Sequence, residues 1–249
     1  GHNLSDVAGL LLAWGAALLA TKANTDKRTY GYRKGTVLAA LLSGMLLLAA
    51  LGIITWEALQ RFVTPQPIEG MTMIVVAAIG VVINAITAWL FFKDSAHDLN
   101  IKGAFLHMAA DAAVSLGVVI SGVLILLFNV LWIDPVVSLV IVAVVFISTW
   151  GLLRDSFNYA MDAVPNGIDT QKIHEYLQTH PTVASVHDLH IWPISTTQNA
   201  LSVHLIVEVN QIDNQLLSLI QQTLREQFNI HHTTIQIETQ TDENNCNLK

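Results

Sequence analysis

Charge is scarce in this chain. Asp, Glu, Lys and Arg together make up 12% of its 249 residues, against roughly 25% in an average soluble domain. The formal net charge is −7, so there is no general basic surface to hold nucleic acid. A lone cysteine, Cys246, excludes a disulfide framework within one chain. Signal-peptide architecture, low-complexity tracts and an initiator methionine are also missing. No His-Glu-x-x-His run occurs, which argues against an intramembrane zinc protease. No Gly-rich phosphate loop occurs either, which argues against an ATP-driven pump.

What the chain has in excess is apolar sequence. Its mean hydropathy is +0.51, unevenly spread: long apolar runs fill Gly35 to Leu153, and ordinary soluble sequence follows Pro165. This predicts a helical membrane domain over 1–160, an aqueous domain over 165–240 and a polar tail over 241–249. Five spans are expected, near residues 2–21, 36–61, 70–92, 103–128 and 132–153. The first is short. Val7 to Ala20 supplies about fourteen apolar residues, whereas a crossing takes about twenty. The chain is therefore expected to be a fragment that lacks upstream sequence, including the start of its first helix.

Lys and Arg in short loops set orientation. Lys22, Lys27, Arg28, Arg33 and Lys34 follow the first span, Lys93 and Lys102 lie between the third and fourth, and Arg154 follows the fifth. The opposite loops carry only Arg61, at a helix end. The basic loops and the C-terminal domain are thus expected on the cytoplasmic side. Glu57, four residues before Arg61, is expected to pair with it at that helix end.

Beyond Pro165 the pattern reads α-β-β-α-β. Asp169 can cap a helix with Ile173 and Leu177 on its apolar side, and Val183 to Trp192 reads as a strand. Leu201 to Val209 alternates apolar and polar residues, and so does Thr233 to Glu238. After Asp213, Leu216, Ile220, Leu224 and Phe228 recur at helical spacing. About 75 residues in this order fit a small two-layer α+β domain.

Two spacings inside the apolar sequence carry chemistry. His2 and Asp6, and His107 and Asp111, are each four residues apart, so each imidazole shares a helix face with a carboxylate. Ionisable groups in hydrocarbon are costly and mark functional sites. Two nitrogen and two oxygen donors from facing helices match the tetrahedral preference of Zn²⁺, and they disfavour harder cations such as Mg²⁺.

Several segments resemble the cation diffusion facilitator family of zinc transporters, in order along nearly the whole chain. Gly1-His2-Asn3-Leu4-Ser5-Asp6 is similar to the family's second transmembrane helix, and Arg28-Thr29-Tyr30-Gly31-Tyr32 to the loop that follows it. Gly103-Ala104-Phe105-Leu106-His107-Met108-Ala109-Ala110-Asp111 resembles the fifth helix, and Asp134-Pro135 the start of the sixth. Val186-His187-Asp188-Leu189-His190-Ile191-Trp192 resembles the first strand of the soluble domain. The resemblance implies a parent with six spans, of which the first is missing here, and a ferredoxin-like C-terminal domain. It implies a homodimer that exports Zn²⁺ in exchange for protons by alternating access, without ATP, with Cd²⁺ or Co²⁺ as further substrates.

By the same resemblance His187, His204, His231 and Glu238 match positions that bind regulatory Zn²⁺ in some relatives, although the terminal Cys-x-x-Cys of those relatives is reduced here to Cys246. Short polar loops and the lack of organelle signals point to a bacterial inner membrane. The alternative reading is a membrane-bound metal sensor that moves no net metal, and flux separates the two.

Overall fold

The computed structural model describes residues 11, 14–64, 70–128, 130–208 and 214–238. His2, Asp6 and the first part of the first expected span lie outside these residues. Helix α1 is described over residues 14–20. Four long helices follow: α2 (Gly35–Val63), α3 (Gly70–Phe92), α4 (Leu99–Phe128) and α5 (Ile133–Ala160). Each is long and apolar enough to cross a bilayer. At 1.5 Å per residue, the 29 residues of α2 extend about 43 Å, beyond a hydrocarbon core of about 30 Å.

These helices are inside out by the standard of a soluble protein. Val82, Ile83, Ile86, Trp89 and Leu90 of α3 face outward, an apolar surface that water would not tolerate as a continuous band. The inward positions of α4 are small instead: Gly103, Ala110, Gly117, Ser121 and Gly122. Hydrocarbon gives helices no hydrophobic reason to associate, so close van der Waals approach at small residues holds them together. A methyl group on Gly122 would stand 2.8 Å from Ile74 Cγ1 on α3, and one on Gly80 would stand 3.3 Å from Ser115 Oγ on α4. Gly103 meets Leu152 of α5 and Ser43 of α2, while Gly44 meets Leu153. Leu47, Leu51, Ala110 and Val145 form a buried layer where α2, α4 and α5 meet.

Ion pairs tie the helix ends. Arg61 Nη1 of α2 lies 2.7 Å from Asp134 Oδ2 in the first turn of α5. At the other end, Lys102 Nζ of α4 lies 2.7 Å from Asp155 Oδ2 of α5. The expected Glu57–Arg61 pair is therefore replaced: Arg61 turns to a carboxylate on another helix, 73 positions away in sequence.

The chain splits into two units, Gly1–Phe157 and Asn158–Lys249. In the second, α6 (Thr170–Gln178) starts at Asp169, whose carboxylate accepts from the Gln171 and Lys172 amides at 3.1 and 3.2 Å. Strands β1 (Val183–Pro193) and β2 (Asn199–Val207) pair antiparallel, and β2 pairs parallel with β3 (His232–Glu238). A parallel pair needs a crossover, which α7 (Asn214–Phe228) supplies. Leu201, Val203, Leu205 and Val207 alternate into a core with Ile173 and Leu177 of α6 and Ile220 and Leu224 of α7. Ser202 and His204 of the same strand therefore point to the other sheet face.

The packing at Gly122 makes a measurable prediction. Gly122→Val should destabilise the detergent-solubilised protein by about 1–3 kcal/mol, the usual cost of overpacking. Ile74→Ala in the same chain should restore part of the loss in a thermal melt.

Candidate metal centres

In the membrane unit, α4 carries His107 and Asp111 one turn apart. His107 Nε2 stands 3.9 Å from Asp111 Oδ2, and the side chains are 17% and 22% exposed. The helix puts them on one face for the reason the spacing predicts. Neither group is fully sealed in the core. The other two sequence candidates, His2 and Asp6, lie outside the described residues.

In the second unit the sheet gathers a different set. His187 of β1 sits opposite His204 of β2, and Gln236 of β3 sits opposite His204 on its other side. Glu238 lies two residues beyond Gln236 and so shares its sheet face. Glu238 is buried, at 6% exposure. Its Oε2 lies 3.0 Å from His187 Nε2, and its Oε1 lies 2.8 Å from His204 Nδ1. Gln236 Nε2 donates to the same Oε1 at 2.8 Å. The two imidazole rings meet edge to face, with centroids 5.2 Å apart.

One donor atom from each of His187, His204 and Glu238 falls within 4.8 Å of the others. Bonds of about 2.0 Å to a tetrahedral Zn²⁺ put ligand atoms a little over 3 Å apart, so small side-chain movements would close the set. Two nitrogens and a carboxylate suit Zn²⁺ in kind as well as in spacing.

The fourth sequence candidate is not in this group. His231 precedes β3, seven residues before Glu238, which is roughly 20 Å along an extended strand. There its Nδ1 accepts from the Asn199 amide at 3.4 Å. The reason is register: β3 begins opposite Ala200 and reaches Ile206 only at Glu238.

The sequence reading missed Asp188 and His190. The ladder slips by one residue between His187 and His190, a bulge that bends the strand and re-aims its side chains. Asp188 takes the left-handed backbone conformation there, with φ of 51°, which Asp tolerates better than most residues. Its Oδ1 lies 2.9 Å from His190 Nε2 and its Oδ2 lies 3.5 Å from His204 Nε2. The hydrogen bond to His190 is the main cause that holds the Asp188 carboxyl below its ordinary pKa. Desolvation opposes it, and the charges of His190, His204 and His187 add to it. The signal was in the sequence, as two histidines flanking an aspartate at His187-Asp188-Leu189-His190. Only the bulge turns them towards one another.

Residues 1–159 match the family described as "Cation efflux transmembrane domain", and residues 165–240 match "Cation efflux protein, cytoplasmic domain". The chain is 34% identical to the "Cadmium, cobalt and zinc/H(+)-K(+) antiporter" of Bacillus subtilis, over 96% of this chain and 78% of that protein. It is 34% identical to the "Cation efflux system protein CzcD" of Alcaligenes sp., over 95% of this chain and 75% of that protein. It is 31% identical to the "Zinc transporter ZitB" of Pectobacterium atrosepticum, over 100% of this chain and 78% of that protein.

Two outcomes follow from the sheet-face geometry. Glu238→Gln should weaken Zn²⁺ binding to the second unit by about 100-fold, the upper range for altering a metal's surroundings, read by calorimetric titration of a Zn²⁺ chelate. Asp188 binds its proton less readily folded than unfolded, so its stabilisation is present above the ordinary aspartate range. That stabilisation is lost as pH falls through its lowered folded value. His190→Ala should therefore blunt the loss of β2 amide protection between about pH 5 and pH 1, measured by hydrogen exchange corrected for intrinsic rates.

Proposed function

The chain belongs to the cation efflux, or cation diffusion facilitator, family and is a metal-cation transporter rather than an enzyme. On that premise we propose that it exports Zn²⁺, with Cd²⁺ and Co²⁺ as further substrates, in exchange for protons at an intramembrane site built from His2, Asp6, His107 and Asp111. The observation that carries this reading is the imidazole–carboxylate pair one turn apart on α4, within a helix long enough to cross the bilayer.

A ligating imidazole must be neutral and a ligating carboxylate ionised, so bound metal expels protons and bound protons expel metal. One site that faces each side in turn then couples opposite gradients of Zn²⁺ and H⁺, with no nucleotide involved. Histidine is the side chain whose charge changes between pH 5 and 8, and His107 together with His2 carries much of the exchanged proton. In this reading the membrane unit crosses the bilayer five times. The C-terminal unit is ferredoxin-like, lies on the cytoplasmic side of a bacterial inner membrane and holds two copies together as a homodimer. The donor set of His187, His204 and Glu238 supports a regulatory Zn²⁺ site there. When bound, the ion would neutralise the buried carboxylate and tie β1, β2 and β3 together.

Proton-driven Zn²⁺ uptake into proteoliposomes tests the reading. Asp111→Ala should lower the rate by about 100-fold or more, with the protein still folded and inserted. His107→Asp should keep metal movement but change its pH profile and its proton-to-metal ratio. An unchanged profile and ratio would remove the proton role given to His107. A wild-type protein that binds Zn²⁺ but moves none would be a sensor instead.

A further inference from the structure

Helices α2, α4 and α5 line a partly open cavity of about 200 Å³, at whose rim Glu57 is exposed. Its walls include Glu57 and Arg61 of α2, Val114 and Val118 of α4, and Ser138 and Ile141 of α5. Val118 lies seven residues, two turns, beyond Asp111 and over the same face of α4. The cavity therefore sits between Asp111 and the helix ends that Arg61 and Asp134 join. Towards the opposite ends these helices pack closely among the described residues. The layer of Leu47, Leu51, Ala110 and Val145 comes first, then Gly103 against Leu152 and Ser43, and finally the Lys102–Asp155 pair.

Glu57 is the cavity's carboxylate, one turn deeper along α2 than Arg61. Arg61 would be its natural counter-charge at i+4, but Asp134 holds that guanidinium at 2.7 Å. Among the described residues, Glu57 enters no ion pair or side-chain hydrogen bond. An ionisable side chain that a membrane helix carries without a counter-charge marks an ion path. The space beside it is large enough for several waters. The arrangement keeps one negative charge open to a passing cation while removing the positive charge that would cancel it.

We propose that this cavity is the vestibule on the Arg61–Asp134 side of the transport site, and that Glu57 receives the divalent cation as it leaves Asp111. Asp134 acts as a positioning residue by keeping Arg61 away from Glu57. The direction of flow rests on the transport reading above. A carboxylate oxygen and the cavity waters offer a departing Zn²⁺ new oxygen ligands before it gives up the old ones.

The test uses the full chain in proteoliposomes, with Zn²⁺ as the probe. Glu57→Gln should slow Zn²⁺ flux about tenfold, the low end for losing a group that assists a metal site, while Zn²⁺ affinity measured at equilibrium stays the same. Asp134→Asn should slow flux as well, because Arg61 is then released to fold back on Glu57. Adding Arg61→Gln to Asp134→Asn should restore most of the rate, a rescue that a purely structural ion pair would not give. Independently of flux, Val118→Cys in a Cys246→Ser background should react with a membrane-impermeant maleimide from the Arg61 side.

Wild-type flux in Glu57→Gln, or no rescue in the double variant, would overturn the role of the charges. An unreactive Cys at position 118 would overturn the vestibule. If that Cys reacts and wild-type protein carries no Zn²⁺, the vestibule stands and the transport reading falls.

Discussion

A charge in hydrocarbon is costly unless it is compensated or put to use, and the membrane unit is arranged around that rule. Removing a carboxylate or an ammonium from water costs several kcal/mol even after the protein relaxes. Four ionisable groups of α2 to α5 accordingly sit near helix ends and bind across to another helix, Arg61 with Asp134 and Lys102 with Asp155. His107 and Asp111 stand well inside α4 and face one another instead. A pair of that kind is kept where its charge does work, and binding a divalent cation in exchange for protons is work that both residues can do.

The compensation rule also governs how the helices hold together. Lipid-facing positions are large and apolar, so the inward faces cannot gain from the hydrophobic effect and depend on fit. Glycines at 103, 117 and 122 of α4 let Leu152, Ile141 and Ile74 come within contact distance. Contacts of this type are dispersive and individually weak. Helices held this way can slide or tilt without first breaking a network of strong bonds, which is what the proposed alternating access requires. The end-to-end ion pairs then become the few strong contacts that any such movement has to respect.

The second unit obeys the opposite solvent rule with the same economy. One face of β2 is fully apolar and buried under α6 and α7. The other face gathers imidazoles and carboxylates, with Glu238 buried among His187, His204 and Gln236. A buried carboxylate without such partners would be strongly unfavourable. The bulge at Asp188 extends the group to His190 at the cost of one left-handed residue. The result is a sheet with two distinct faces, one apolar and packed under helices, the other a cluster of ionisable side chains.

Much of this was legible in the sequence because it follows from periodicity. Span length, the alternation of Leu201 to Val207 and the four-residue step from His107 to Asp111 are local facts of helix and strand geometry. The sequence by itself determined these, and its resemblance to the family marked His187, His204, His231 and Glu238 as candidates. It could not choose among the histidines, because strand register decides whether His231 or His187 meets Glu238, and register depends on pairing with a distant strand. Nor could it pair Arg61 with Asp134 or Lys102 with Asp155, which lie on different helices. Glu57 reads from sequence as one half of a local ion pair. Only the tertiary structure takes Arg61 away from it, since a short bond to a facing helix outweighs a weak one along the same helix.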